Sequence, residues 1–282
     1  MDKYIRSNPK LIDIQSKQAR DNLTLMVDYL CSSIVPNELP PLNKLSNVTM
    51  EECHDYLSKF LYTKENAILI NELLHKRTNI DDYECIDGFS SIYDLNREKL
   101  IDLSSKKYFE SVAALEHENI HILPALNNNN HEEQYNEILS IFGEFLSLKI
   151  LSEKYNNNAI YINNLITRCV RRMSYRVRGR DFEDEVIENQ SDYMKKLYLS
   201  AYDYMLGFIY ATRLLDLYHQ EPNKIIADFN SVLAGEKTVK ALLFEQHISL
   251  EDIDTVVSFI KLIDLYRECV DKKYGTSVHR VK

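Results

Sequence analysis

The feature that most restricts this chain is how little punctuation it carries. Its 282 residues include six glycines and six prolines, about 2% of each, where soluble domains average roughly 7% and 5%. Between Ala125 and Gln220 there is no proline at all. The tight turns of a sandwich or barrel, and the loops that cradle phosphates in nucleotide folds, need these two residue types to supply positive φ or to fix φ. A chain that withholds them over so long a stretch is expected to be mainly α. The formal net charge of −9, from 34 basic and 43 acidic side chains, argues against nucleic acid as a partner, because phosphate neutralisation needs a surplus of Lys and Arg. The five cysteines (Cys31, Cys53, Cys85, Cys169, Cys269) are odd in number and never form a CxxC pair. That excludes a disulfide framework and a thiolate zinc site. No stretch approaches the roughly 20 apolar residues that span a bilayer, and Met1–Leu11 lacks the apolar core of a signal peptide. The expectation is a reduced, cytoplasmic protein that does not enter the membrane.

Apolar spacing predicts helices over Leu11–Val35, over two short pieces of Met50–Lys76 broken near Thr63, and over Tyr108–Leu123, stopped by Pro124. Further helices are predicted at Glu133–Tyr155, Ala159–Met173, Glu188–His219, Pro222–Leu233 and Thr238–Glu245. A last one is opened by a capping box at Ser249–Asp252 and runs to about Lys273. Only Tyr83–Leu103 reads as extended, a hairpin or edge-strand pair carrying Ser91-Ile92-Tyr93 and Leu100-Ile101. This divides the chain into a helical segment, 1–82, and a region that carries the chemistry, 83–282.

That chemistry starts at His117-Glu118-Asn119-Ile120-His121, an HExxH motif. Positions i and i+4 of a helix share one face, so both imidazoles can reach one metal ion. Glu118 projects beside that face, where a carboxylate can take a proton from metal-activated water and pass it to a leaving nitrogen. Leu115, Asn119, Ile120 and Ile122 are uncharged, as a partly buried metal helix requires. Two neutral imidazoles and a carboxylate suit zinc with one position left open. Among the carboxylates that follow, Glu133, Glu137 and Glu144 fall near one face of the next helix. Glu137, with apolar Ile138 and Leu139 after it, is the candidate third ligand, since an ionised group there needs a partner. Glu144, two turns on, is the candidate brace for a ligating histidine.

Glu137-Ile138-Leu139-Ser140, with Glu144 after it, resembles the ExxS…E segment that follows HExxH in the M3 peptidases, the thimet oligopeptidase and oligoendopeptidase F group. Tyr202-Asp203-Tyr204-Met205-Leu206-Gly207-Phe208 resembles their Tyr-x-Tyr-x-x-Gly segment, and the likeness runs in order over about Tyr83–Lys273. It implies a gluzincin-like helical catalytic domain with a small extended segment before the metal helix. It also implies one zinc ion (Zn2+) per chain held by His117, His121 and Glu137, with Glu118 as general base. Tyr204 is the best match for the tyrosine that hydrogen-bonds the oxyanion, and Tyr202 a weaker one.

The chain departs from the family in several places. Ile120 replaces the usual Gly before the second histidine, which would narrow the cleft over the metal. The gap from His121 to Glu137 is short, and residues 190–201 lack the histidine that normally precedes the tyrosine segment. The chain is also about half the usual family length, as the resemblance has it. The reading is a zinc metallopeptidase, a hydrolase acting on peptides or flexible segments. The alternative is a catalytically silent M3-like zinc-binding protein that takes a peptide or protein partner. An oligomer, or a second chain completing the cleft, is compatible with either.

Other features carry less. Arg168, Arg171, Arg172, Arg176, Arg178 and Arg180 are followed at once by Asp181, Glu183, Asp184 and Glu185. They read as an anion site or as internal charge pairing. His54, His75, His131, His219, His247 and His279 stand singly and read as surface histidines, with His131 of interest for its place between the metal helix and Glu137.

Overall fold

A computed structural model describes residues 16–33, 42–82, 88–90, 98–127, 135–161, 170, 173–174 and 192–274. Over these the chain is mainly helical. Helices α1 (Lys17–Ser33), α2 (Met50–Leu61) and α3 (Lys64–Glu72) come first, and α3 runs through a π-helical turn, Leu73–Arg77, into strand β1 (Thr78–Ile80). Strands β2 (Gly88–Ser90) and β3 (Ile101–Leu103) precede α4 (Phe109–Leu126), α5 (Asn136–Lys154) and the short α6 (Asn158–Tyr161). The long α7 (Asp192–Gln220), α8 (Pro222–Leu233), α9 (Val239–Glu245) and α10 (Ile253–Tyr274) complete it.

Threonines set several helix starts. Thr49 and Glu52 form a reciprocal capping box on α2, with backbone-to-side-chain bonds of 3.1 and 2.8 Å. Thr63 caps α3 through the Asn66 amide at 3.2 Å, and this is the break expected there. Thr238 does the same for α9 through Ala241. Two expectations need correcting. Pro124 lies inside α4 and does not stop it; so close to the helix end, its missing N–H removes a single bond, and the Asn127 amide still closes on the Leu123 carbonyl at 3.0 Å. Ser249 does not open α10 either. Residues 249–251 form a turn, and Asp252 does the capping, its carboxylate accepting the Asp254 amide at 3.1 Å.

The extended region is a three-stranded sheet of order β1-β3-β2. Here β3 runs parallel to β1 and antiparallel to β2, so the sheet begins earlier than expected, at Thr78. Ser91-Ile92-Tyr93, His131, the Arg168–Arg180 run and most of Ala159–Met173 lie outside the described residues.

The core is organised about α5, which packs along α4 on one side and α7 on another. From Ile138 to Leu148 every residue of α5 is buried. Its two hydroxyls in that run are absorbed internally, Ser140 donating to the Glu137 carbonyl and Ser147 to that of Gly143. Edge-on aromatic contacts join the layers: Phe142 to Phe229 of α8, Phe145 to Phe208 of α7, and Phe208 to Phe259 of α10. The same buried cluster includes Ala19 and Met26 of α1 and Leu57 of α2, so the described parts of 1–82 and 83–282 share one core. No described helix is long and apolar enough to cross a membrane.

Candidate metal centre

Helix α4 is buried almost all round, from Phe109 to Leu123. At about 100° per residue, His117, Glu118 and His121 share one side and Glu116 and Asn119 the other, while Ile120 falls between Glu116 and His117. The first set points toward the start of α5. There the Nε2 atoms of His117 and His121 are 3.1 Å apart, and the Glu137 carboxylate lies 3.5 Å from the first and 3.8 Å from the second. A tetrahedral ion with ligands at about 2.0–2.1 Å requires donor–donor distances of about 3.3 Å. The triangle of His117, His121 and Glu137 therefore has the dimensions and the chemistry for zinc.

The electrostatics favour a cation at the same place. Burial works against a charged His117, but its contacts with Glu137 and Glu144 and the nearby charge of Glu118 outweigh that. They push its pKa up to about 10. A metal ion would take the place of that proton, as ligation by neutral imidazole requires. On the other ring nitrogen, Glu144 approaches Nδ1 of His117 at 3.4 Å. That is the carboxylate–histidine arrangement that orients a ligating ring.

Two glycines bring neighbouring elements into contact with this group. A Cβ on Gly88 of β2 would lie 3.1 Å from both Cγ and Oε1 of Glu118, so the strand backbone runs directly against the candidate base. A Cβ on Gly207 of α7 would lie 2.7 Å from Cβ and 3.0 Å from the carbonyl carbon of Glu137. Gly207 is thus where α7 crosses α5 at the candidate ligand. Asp203 and Tyr204, four and three residues earlier, fall on that face of α7, whereas Tyr202 is turned well away from it. Tyr202 is accordingly buried in the core and Tyr204 half-buried against it. Gly207 closes the Tyr-x-Tyr-x-x-Gly segment, whereas nothing in the local pattern marks Asp203 or Gly88 as belonging to the site.

Ile120 does not narrow the cleft. It is buried between α4 and α5 and packs where a Cβ of Gly143 would sit, 2.0 Å from that position. His54 is not a surface histidine. It is fully buried, with Nδ1 2.6 Å from the equally buried Glu116. No protein-family model, curated protein or solved structure matches the chain.

Proposed function

We propose that the chain is a zinc-dependent metallopeptidase of the gluzincin kind, with its motifs in the order found in M3 peptidases. The observation that carries this reading is the His117–His121–Glu137 triangle, sized for one tetrahedral ion, with Glu118 next to it on the same side of α4. His117, His121 and Glu137 hold the ion. Zinc, when bound, supplies Lewis acidity toward water and toward a scissile carbonyl. Glu118 receives the proton of the attacking water and delivers it to the departing amine. Glu144 keeps the His117 ring in register. Tyr204, on the face of α7 that meets Glu137, is the donor to the developing oxyanion. Strand β2 ends its sheet and passes Glu118, so an extended peptide added along it comes to the base with its backbone aligned.

The test is metal content of purified protein together with a Glu118→Gln variant. The expected result is one zinc per chain, lost in His117→Ala/His121→Ala and kept in Glu118→Gln, with cleavage of a degenerate peptide library by the parent protein and none by Glu118→Gln. Turnover by Glu118→Gln near the parental rate would refute the mechanism. Zinc without any cleavage would select the silent, partner-binding alternative.

A further inference from the structure

The back of the metal helix carries a second set of polar groups that the proposed chemistry does not use. Glu116, the residue before His117, is completely buried. Its carboxylate accepts from His54 Nδ1 at 2.6 Å, from the Tyr62 hydroxyl at 2.8 Å and from Asn119 Nδ2 at 3.3 Å. His54 belongs to α2 and Tyr62 is its C-cap. Two turns separate them, so both face α4 from one side of α2. Asn119 lies within the HExxH motif itself, one turn beyond Glu116. Tyr62, buried and beside a carboxylate, has its pKa driven well above the usual value by burial and by Glu116, and acts as a donor.

A buried ion pair is weak evidence for stability, because apolar residues of similar size commonly do as well or better. What such a network adds is direction. Apolar contacts of α4, such as Ile120 on Gly143 of α5, resist separation of the helices but only weakly resist rotation of one about its axis. Hydrogen bonds with preferred angles resist both. The lever is long: the ring nitrogens of a helical histidine stand roughly 6–7 Å from the axis, so a rotation of about 5° moves them by about half an ångström. Metal ligands tolerate about 0.2 Å.

We infer that Glu116, gripped by His54, Tyr62 and Asn119, is a positioning residue that sets the rotation of α4 and so aims His117, His121 and Glu118 at the metal. The N-terminal helix α2 is then part of the metal centre, although none of its side chains touches the ion. The inference rests on the zinc reading above.

The test uses the full chain, with zinc affinity measured by chelator competition and the visible absorption of the Co2+-loaded protein as a report of ligand geometry. Glu116→Gln keeps the size of the side chain and removes its charge. It is expected to keep its helical content, to bind zinc about tenfold more weakly, at the lower end of what outer-shell changes cost, and to shift the Co2+ bands. Should Glu116→Gln fail to fold, a triple variant, His54→Phe/Tyr62→Phe/Glu116→Met, replaces the whole buried charge by apolar groups. It leaves the buried Asn119 amide without its acceptor, so it is expected to fold with a lower stability than the parent and still show the affinity loss and the band shift. Parental affinity and an unshifted spectrum in a folded variant of either kind would overturn the inference and leave the zinc reading intact. Failure of the parent protein itself to bind Zn2+ or Co2+ would remove both.

Discussion

Replacing Gly207 by alanine separates metal-site geometry from helix stability. In an exposed helix interior, Gly→Ala is worth up to about 1 kcal/mol of stabilisation. Here the added methyl would meet Glu137 Cβ at 2.7 Å, the Glu137 carbonyl carbon at 3.0 Å and Ile141 Cδ1 at 3.0 Å. Carbon atoms prefer about 3.5–4.0 Å, so α7 and α5 must separate by about 1 Å at that crossing. The nearest obstacle is Cβ and main chain, which cannot swing aside as the end of a long side chain can. Overpacking of this kind costs about 1–3 kcal/mol. Set against the propensity gain, the expected net loss in unfolding free energy is about 1 kcal/mol. The effect on the metal is larger. A shift of about 1 Å at a ligand's backbone is several times the tolerated ligand displacement, and a loss of about 10–100-fold in zinc affinity is expected. Chemical denaturation of the metal-free protein reads the first quantity and chelator competition the second. Parental zinc affinity, or a gain of about 1 kcal/mol in stability, would refute the packing of α7 on Glu137.

Gly88→Ala probes the other side of the site. Its Cβ would come 3.1 Å from Glu118 and 3.2 Å from Leu103 Cδ2, a few tenths of an ångström too close. The expected result is about a tenfold fall in kcat with zinc content unchanged, and unchanged turnover would remove β2 from the neighbourhood of the base. The His54–Glu116 pair adds a pH dependence to folding. Burial opposes the charge on His54, but Glu116, aided by Asp55 and Glu51, outweighs it and raises the histidine above its usual 6.5. A raised folded-state pKa means that the native state holds the extra proton. The stabilisation is therefore complete below about pH 6.5 and is lost as pH climbs through the higher folded value. Thermal unfolding of metal-free protein from pH 6 to pH 9 should show this decline together with that of His117, raised to about 10, and His54→Gln should make the slope shallower without abolishing it; an equal slope in the variant would refute the His54 contribution.

What was legible in the sequence was whatever follows from local periodicity and short spacing. The helical class followed from the shortage of turn residues, and His117 and His121 on one face followed from a four-residue interval. Glu137 and Glu144 were reachable because they stand a whole number of turns apart on the next helix. Helix ends were less legible, since Pro124 near a terminus and Ser249 against Asp252 are decided by which single hydrogen bonds are made. The Glu116 network was not legible at all. His54 and Glu116 lie 62 positions apart, and an acidic residue beside HExxH looks like any surface charge until the fold buries it. The scarce glycines are a further signal. The chain has only six glycines, and Gly88, Gly143 and Gly207 all mark close approaches to residues of α4 or to Glu137.

Ile120 shows why a departure from a motif has to be judged in three dimensions. A glycine before the second histidine and an isoleucine there differ by a whole side chain, and on a bare motif the larger residue seems to intrude on the metal. Its side chain, however, is buried in the contact between α4 and α5. The volume it adds is taken up by Gly143 on the facing helix, with Phe229 of α8 3.8 Å from the same point. A large residue thus faces a small one at the contact of α4 with α5, and Glu137 lies 3.5 Å from His117. The exchange therefore bears on how the two helices pack, not on what can approach the metal. It gives no reason to expect the ligand triangle to bind zinc more weakly than an HExxH site with glycine at that position.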